Sequence, residues 1–211
     1  EIKLPIATSK MIIENNKNEI TKSIEEEINE IEEYTEQALF YARSSYANKD
    51  YFVTKCNLKE IVNESIKRNK RTLINRKIGV RIEEVNQTIY TDPKWCSFIL
   101  NQVVQNSIKY GKETGAEIYF TAEEKKNSVI LSVGDNGIGM KREEAVRAFD
   151  KGFTGSNGRI GKKSTGIGLY LCKKLCDKLG LGIEFDSEEN IGTEVRIIFP
   201  KNSYLDLSKV E

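Results

Sequence analysis

The chain has 211 residues, enough for one large domain or two modest ones with a core of their own. Its 33 Lys and Arg nearly cancel its 32 Asp and Glu, so no net field favours a nucleic-acid partner, and no run of about 18 apolar residues is present that could span a membrane. The four cysteines (Cys56, Cys96, Cys172, Cys176) form no CxxC pair in a chain without histidine, which argues against a zinc site and for reduced thiols.

Residues 1 to about 48 read as helix broken once. Ile6, Ile13 and Ile20 recur every seven residues, and Ile24, Ile28 and Ile31 continue at helical spacing. Between them, Glu14-Asn15-Asn16-Lys17-Asn18-Glu19 is rich in residues that prefer caps and turns. This predicts a helical hairpin, with a first helix to about Asn15 and a second from about Glu19 to Ala47. The apolar stripe is too narrow for a self-sufficient core, and the other face carries Glu25, Glu26, Glu27, Glu30, Glu32 and Glu33. Two such hairpins are expected to bury each other's stripes as a four-helix bundle, making a homodimer. The alternative is one hairpin packed on its own domain.

Asn48 to Asp50 read as a linker and Tyr51 to Thr54 as an edge strand. Leu58, Ile61, Val62, Ile66 and Leu73 mark a helix from about Asn57 to Asn75, capped by Asn57. Ile78 to Ile82 and Thr88 to Tyr90 are expected to pair as strands across an Asn-Gln turn. Asp92-Pro93 is a helix start, and the helix it opens runs through Phe98 to Tyr110. On it Gln102, Asn106, Lys109 and Tyr110 fall at i, i+4, i+7 and i+8, one face. Glu117 to Ala122 and Val129 to Val133 alternate as strands around a charged turn, and the second runs into Ser132-Val133-Gly134-Asp135-Asn136-Gly137-Ile138-Gly139-Met140. Lys141 to Ala148 is a short helix, followed by Ala148-Phe149-Asp150-Lys151-Gly152-Phe153-Thr154-Gly155. Gly152 to Lys163 holds four glycines and almost no apolar residues, the composition of a lid. Ser164-Thr165-Gly166-Ile167-Gly168-Leu169 then opens a helix with Leu169, Leu171, Leu175 and Leu179 at apolar spacing. Gly182 to Asp186 and Glu194 to Phe199 are the last strands, and residues 201–211 show no pattern.

Several of these residues carry chemistry. The carboxamide oxygen of Asn106 suits a hard cation such as Mg²⁺. Asp135 follows a buried strand, where a carboxylate without a partner is costly, and Gly137 and Gly139 let the chain pass close to a ligand. The same Asp-Asn-Gly run also suits an ordinary β-turn. The glycines at 166 and 168 before a helix, with its open N–H groups, make an anion site. Lys151, Arg159, Lys162 and Lys163 are cations available to a phosphate. Phe149 and Phe153 can pin the lid or anchor its loop to the core.

Four of these segments, in this order, resemble the N, first glycine, F and second glycine boxes of the histidine-kinase ATP-binding domain, over about residues 52 to 200. The resemblance implies an α+β fold: a helical hairpin, residues 1–48, then residues 51–200 as an α/β sandwich with a mixed sheet under three helices, then a tail. It implies ATP and Mg²⁺ as cofactors, with Asn106 the protein ligand of the metal, Gln102 in support, Lys109 on phosphate oxygens and Tyr110 lining the nucleotide. Asp135 corresponds to the aspartate that accepts a bond from the adenine amino group, with Gly137 and Gly139 beside the base and Thr193 supporting it. Phe149, Lys151, Phe153 and Thr154, and then Ser164, Thr165, Gly166, Ile167, Gly168 and Leu169, complete the nucleotide-binding set.

Glu1-Ile2-Lys3-Leu4-Pro5 resembles the family's phosphoacceptor motif, His-Glu-x-x-x-Pro, entered one residue late. The acceptor histidine is then expected just before Glu1, with Glu1 as the catalytic carboxylate beside it. The implied function is a cytoplasmic sensor histidine kinase core that moves the γ-phosphoryl of ATP to that histidine and then to an aspartate on a response-regulator receiver domain. Tethering to a membrane is expected only through an upstream segment, and no nucleic acid takes part. The wording of the boxes is similar to that of short-sensor kinases that respond to cell-envelope antibiotics. Two other classes remain open: an ATP-binding conformational machine of the gyrase and chaperone superfamily, and a non-catalytic dimeric nucleotide-binding scaffold.

Overall fold

The computed structural model describes residues 3–15, 18–46, 51–156 and 164–201. Glu1, linker residues 48–50, Arg159, Lys162, Lys163 and the tail from 202 lie outside the described residues. The chain forms two compact units, Glu1–Asn48 and Lys49–Glu211.

The first unit is a pair of helices, α1 (Lys3–Asn15) and α2 (Glu19–Tyr46). Asn18 starts α2 reciprocally with Thr21: the Thr21 N–H donates to Asn18 Oδ1 at 2.8 Å and the Asn18 N–H to Thr21 Oγ1 at 2.7 Å. These bonds satisfy donors that the first turn leaves open. Ile6 and Ile13 are buried, and Lys10 pairs with Glu32. Leu4, Met11, Ile12, Ile20, Ile24, Ile31 and Leu39 stay exposed.

The second unit opens with β1 (Thr54–Asn57) and α3 (Leu58–Asn75), capped by Asn57, whose Oδ1 accepts the Lys59 N–H at 2.9 Å. The strand starts at Thr54, later than expected, because residues 51 and 52 are held by side chains. Tyr51 packs edge-on against Trp95, and the Phe52 N–H donates to Asp92 Oδ2 at 2.9 Å. Next come β2 (Gly79–Glu83), β3 (Thr88–Thr91), α4 (Pro93–Lys109), β4 (Glu117–Glu124) and β5 (Ser128–Asp135). A short helix α5 (Arg142–Ala145), helix α6 (Gly168–Leu179), β6 (Gly182–Glu188) and β7 (Gly192–Pro200) complete the unit.

The expected pairing of β2 with β3 does not occur. β2 runs parallel to β4, while β3 pairs antiparallel with β1, Thr54 opposite Thr91. The connection turns the chain away instead of closing a hairpin. Glu84 takes φ 55°, Val85 is buried, and the Gln87 carbonyl accepts the Leu58 N–H at 3.0 Å, drawing β3 to the α3 side.

The main sheet has the order β2-β4-β5-β7-β6 and is mixed, since only β2–β4 is parallel. Alternation sorts its residues: Ile118 and Phe120, Leu131 and Val133, and Ile197 and Phe199 are buried, while Tyr119, Ser132 and Arg196 are half-buried. α4 and α6 pack on the sheet with Phe98, Ile99, Leu100, Leu171 and Leu175 buried, and α3 packs on α4. Cys96, Cys172 and Cys176 lie in this core, where burial pushes their thiols up, Cys176 to about 12. They behave as small apolar residues.

Candidate functional site

Strand β5 ends by delivering Asp135 to a crowded place. Burial pushes its carboxyl above the usual range, against three donors that favour the charged form: the Ser107 side chain, the Gly137 N–H at 2.9 Å and the Thr193 N–H. A carboxylate offers about four lone-pair sites, so about one is left for an outside donor.

The loop after Asp135 is built by close approaches. A Cβ on Gly137 would stand 2.5 Å from the Tyr110 carbonyl oxygen, and one on Gly139 (φ +61°) 1.9 Å from that of Glu188. The Ile138 N–H donates to the Tyr110 carbonyl at 3.0 Å and the Asn190 N–H to that of Ile138 at 2.7 Å. Asn136 closes the other side, accepting the Glu117 N–H and donating to the Gly115 carbonyl, both at 2.9 Å. The glycine loop is therefore clamped between the end of α4 and the β6–β7 turn. At that turn Ser187 Oγ meets Thr193 Oγ1 at 2.9 Å.

Helix α4 begins where Asp92 Oδ1 accepts the N–H groups of Lys94 and Trp95, with Pro93 at its first position. Its last two turns carry the polar candidates. Gln102 is buried and bonds Gln105 at 3.1 Å; Asn106 and Lys109 are half-buried, and Lys109 Nζ stands 5.9 Å from the ring centre of Tyr110, which ends the helix. The Arg76 guanidinium donates to the Ile108 carbonyl and holds this end in place.

The aromatic segment and the second glycine run form another group. Phe149 packs edge-on against Phe185, ring centres 6.0 Å apart, so it anchors its loop to the sheet. Phe153 lies under Arg147 at 4.6 Å, and Arg147 also pairs with Asp150 at 3.2 Å. The Gly152 N–H donates to the Gly166 carbonyl at 3.0 Å, and a Cβ on Gly166 (φ +64°) would stand 2.5 Å from Phe153 O. Lys151 is exposed and Thr154 half-buried. Ser164, Ile167, Gly168 and Leu169 are half-buried; Thr165 is exposed, and its Oγ1 accepts the Ile167 N–H at 3.3 Å. α6 starts at Gly168 without a side-chain cap, leaving helix-start donors for a ligand.

The contacts thus join Tyr110, Asp135, Gly137, Gly139 and Thr193 in one group, with Asn106 and Lys109 on the same helix end. Gly152, Phe153 and Gly166 form the other, and Phe149 sits apart from both on Phe185. Sequence reading missed Ser107, Ser187, Arg76 and Glu144. Glu144 accepts the Ser156 N–H at 2.6 Å, which holds its carboxyl below the usual range. Only Ser107 had a signal, its place beside Asn106.

Residues 91–203, more than half of the chain, match the family described as histidine kinase-, DNA gyrase B-, and HSP90-like ATPase. Sensor histidine kinase YxdK of Bacillus subtilis (strain 168) is 32% identical over 202 residues, covering 94% of this chain and 62% of the relative. Sensor histidine kinase GraS of Staphylococcus haemolyticus (strain JCSC1435) is 30% identical over 207 residues, covering 97% and 60%. The chain therefore spans about three fifths of the length of the curated relatives it matches. Among solved structures, the catalytic domain of histidine kinase ThkA superposes with a TM-score of 0.61 at 25% identity, covering 71% of this chain and 98% of that one. ThkA in complex with response regulator protein TrrA shares the fold at TM-score 0.69 and 21% identity, covering 95% and 60%.

Proposed function

The chain belongs to the histidine kinase-, DNA gyrase B- and HSP90-like ATPases, and from that premise we propose that it is the core of a sensor histidine kinase, binding Mg-ATP in its second unit. The observation that carries this reading is Asp135: a half-buried carboxylate with three internal donors and room for about one more. An adenine amino group supplies that donor, beside glycines whose backbone leaves no space for a side chain.

In this reading Asn106, with Gln102 in support, holds the metal by its carboxamide oxygen, and Lys109 neutralises phosphate charge. Among the described residues no three of His, Cys, Asp or Glu are grouped to bind a metal, which suits an ion carried largely by the triphosphate. Bound there, Mg²⁺ supplies charge neutralisation to the phosphates. Tyr110 lines the nucleotide. Phe149, Lys151, Phe153, Thr154 and the segment Ser164 to Leu169 border it, with the open N–H groups of α6 toward phosphate.

The helical pair is, in the same reading, the dimerising and phosphoacceptor unit. Its exposed Leu4, Met11, Ile12 and Ile20 are apolar surface for a second copy to cover. The acceptor is a histidine just before Glu1, with Glu1 as its neighbouring carboxylate. The phosphoryl group then passes to an aspartate of a response regulator, the class of protein bound to ThkA in its solved complex. A cytoplasmic site of action, with anchoring by a preceding segment, completes the proposal; among the described residues no helix is long and apolar enough to cross a membrane.

Calorimetric titration with Mg-ATP tests the pocket. Asp135→Asn is expected to weaken binding by roughly 1–3 kcal/mol, the cost of a mispaired polar group at the ligand. Equal affinity in both proteins would remove Asp135 from the site.

A further inference from the structure

We propose that Ser187 is a positioning residue of the nucleotide site: it sets the direction of the Thr193 hydroxyl and rivets the glycine loop to the β6–β7 turn. The proposal rests on the nucleotide reading above. Ser187 Oγ has three polar neighbours, the Gly192 carbonyl oxygen at 3.0 Å, the Met140 amide nitrogen at 2.9 Å and Thr193 Oγ1 at 2.9 Å. A carbonyl only accepts and an amide N–H only donates. The single Ser187 proton therefore goes to Gly192, and one lone pair receives the Met140 proton. What remains on Ser187 is one lone pair, and it can only receive the proton of Thr193.

The Thr193 hydroxyl is thereby left without a proton to offer elsewhere. Across the β5–β7 register from it stands Asp135, whose carboxylate also accepts, and which takes the Thr193 N–H. The polar edge formed by these two side chains only accepts. It matches a base edge that presents an amino group and disfavours one that presents a carbonyl oxygen. A ring nitrogen that accepts can meet Thr193 only through a water that donates to both.

The surroundings keep this arrangement from relaxing. A Cβ on Gly192 would stand 1.9 Å from the Asp135 carbonyl oxygen, and one on Gly139 would stand 1.9 Å from that of Glu188. Backbone therefore lies against backbone on both sides of Ser187, and a hydroxyl is the group that ties them.

The test is a double-mutant cycle of Ser187→Ala and Thr193→Val, with ATP and GTP titrated by calorimetry. Ser187→Ala is expected to weaken ATP about tenfold, the worth of one hydrogen bond. It should weaken GTP less, because a freed Thr193 can turn its proton toward a carbonyl. In the Thr193→Val background the same change should add no more than about twofold, since no hydroxyl is left to orient. Ser187→Thr keeps the hydroxyl and should bind ATP like wild type; Ser187→Cys keeps the volume with weaker bonds and carries the comparison if the alanine variant does not fold. Unchanged ATP affinity, an unchanged ATP-to-GTP ratio, or additive losses in the cycle would each overturn the role of Ser187 while leaving the pocket standing. A wild-type protein that binds no ATP overturns the nucleotide reading itself, and this role with it.

Discussion

The ring of Tyr119 lies across Gly134, so that a Cβ on Gly134 would stand 2.0 Å from its Cζ and 2.2 Å from its Oη. The two residues are partners in the β4–β5 register, and the Tyr119 hydroxyl donates to Glu194 Oε2 at 3.1 Å. Gly134 directly precedes Asp135, so the clamp acts on the strand end that presents the carboxylate. Gly134→Ala is expected to displace the ring and cost about 1–3 kcal/mol, as overpacking does. Tyr119→Ala in that background should recover part of the loss, so the two changes are less than additive in urea unfolding. Strictly additive losses would show that the ring gives way freely.

The raised carboxyl of Asp135 makes a pH prediction with a definite sign. Burial is the largest cause of the shift, so the folded protein holds this proton more tightly than the unfolded chain. The stabilising contribution of the protonated form is complete below the ordinary carboxylate value and is lost as pH rises through the folded value. Nucleotide-free wild type should therefore gain stability relative to Asp135→Asn as pH falls from neutral. Thermal unfolding of both proteins across pH 3 to 7 measures the difference, and a difference that stays flat would count against a raised Asp135.

Asn106 presents a carboxamide near the end of α4 beside Lys109. Asn106→Ala and Asn106→Asp should abolish the Mg²⁺ dependence of ATP binding while circular dichroism and melting stay close to wild type. Fluorescent-nucleotide titrations with and without Mg²⁺ decide it: the same dependence in both variants makes Asn106 a surface residue.

Glu1 is tested by extending the chain upstream with a helical segment that ends in His just before it. Radioactive ATP should then label the protein, and the label should be acid-labile and alkali-stable, as a phosphoramidate is. Glu1→Gln in the extended protein should slow labelling by about 10²–10⁴-fold, the worth of general-base help, with ATP affinity unchanged. Bound ATP without labelling would favour the scaffold reading.

What the chain states locally was legible from its letters. Asn57 and Asp92 announce the starts of α3 and α4 because a cap side chain bonds N–H groups two or three residues on. The limits of α1 and α2 followed from the cap-forming run around Asn18, and the glycine boxes from residues whose backbone must pass close to its neighbours. Partners distant in sequence were not legible. From its short separation β2 was expected beside β3, and its parallel place by β4 was decided by the buried Val85 and the turn at Glu84. Gly134 looks like any strand glycine until Tyr119 crosses it. Ser107 and Ser187 look like neutral polar residues until folding brings Asp135 and Thr193 to their hydroxyls. A hydroxyl donates one proton and accepts twice, so its role is settled by what surrounds it, and only the tertiary structure decides those surroundings.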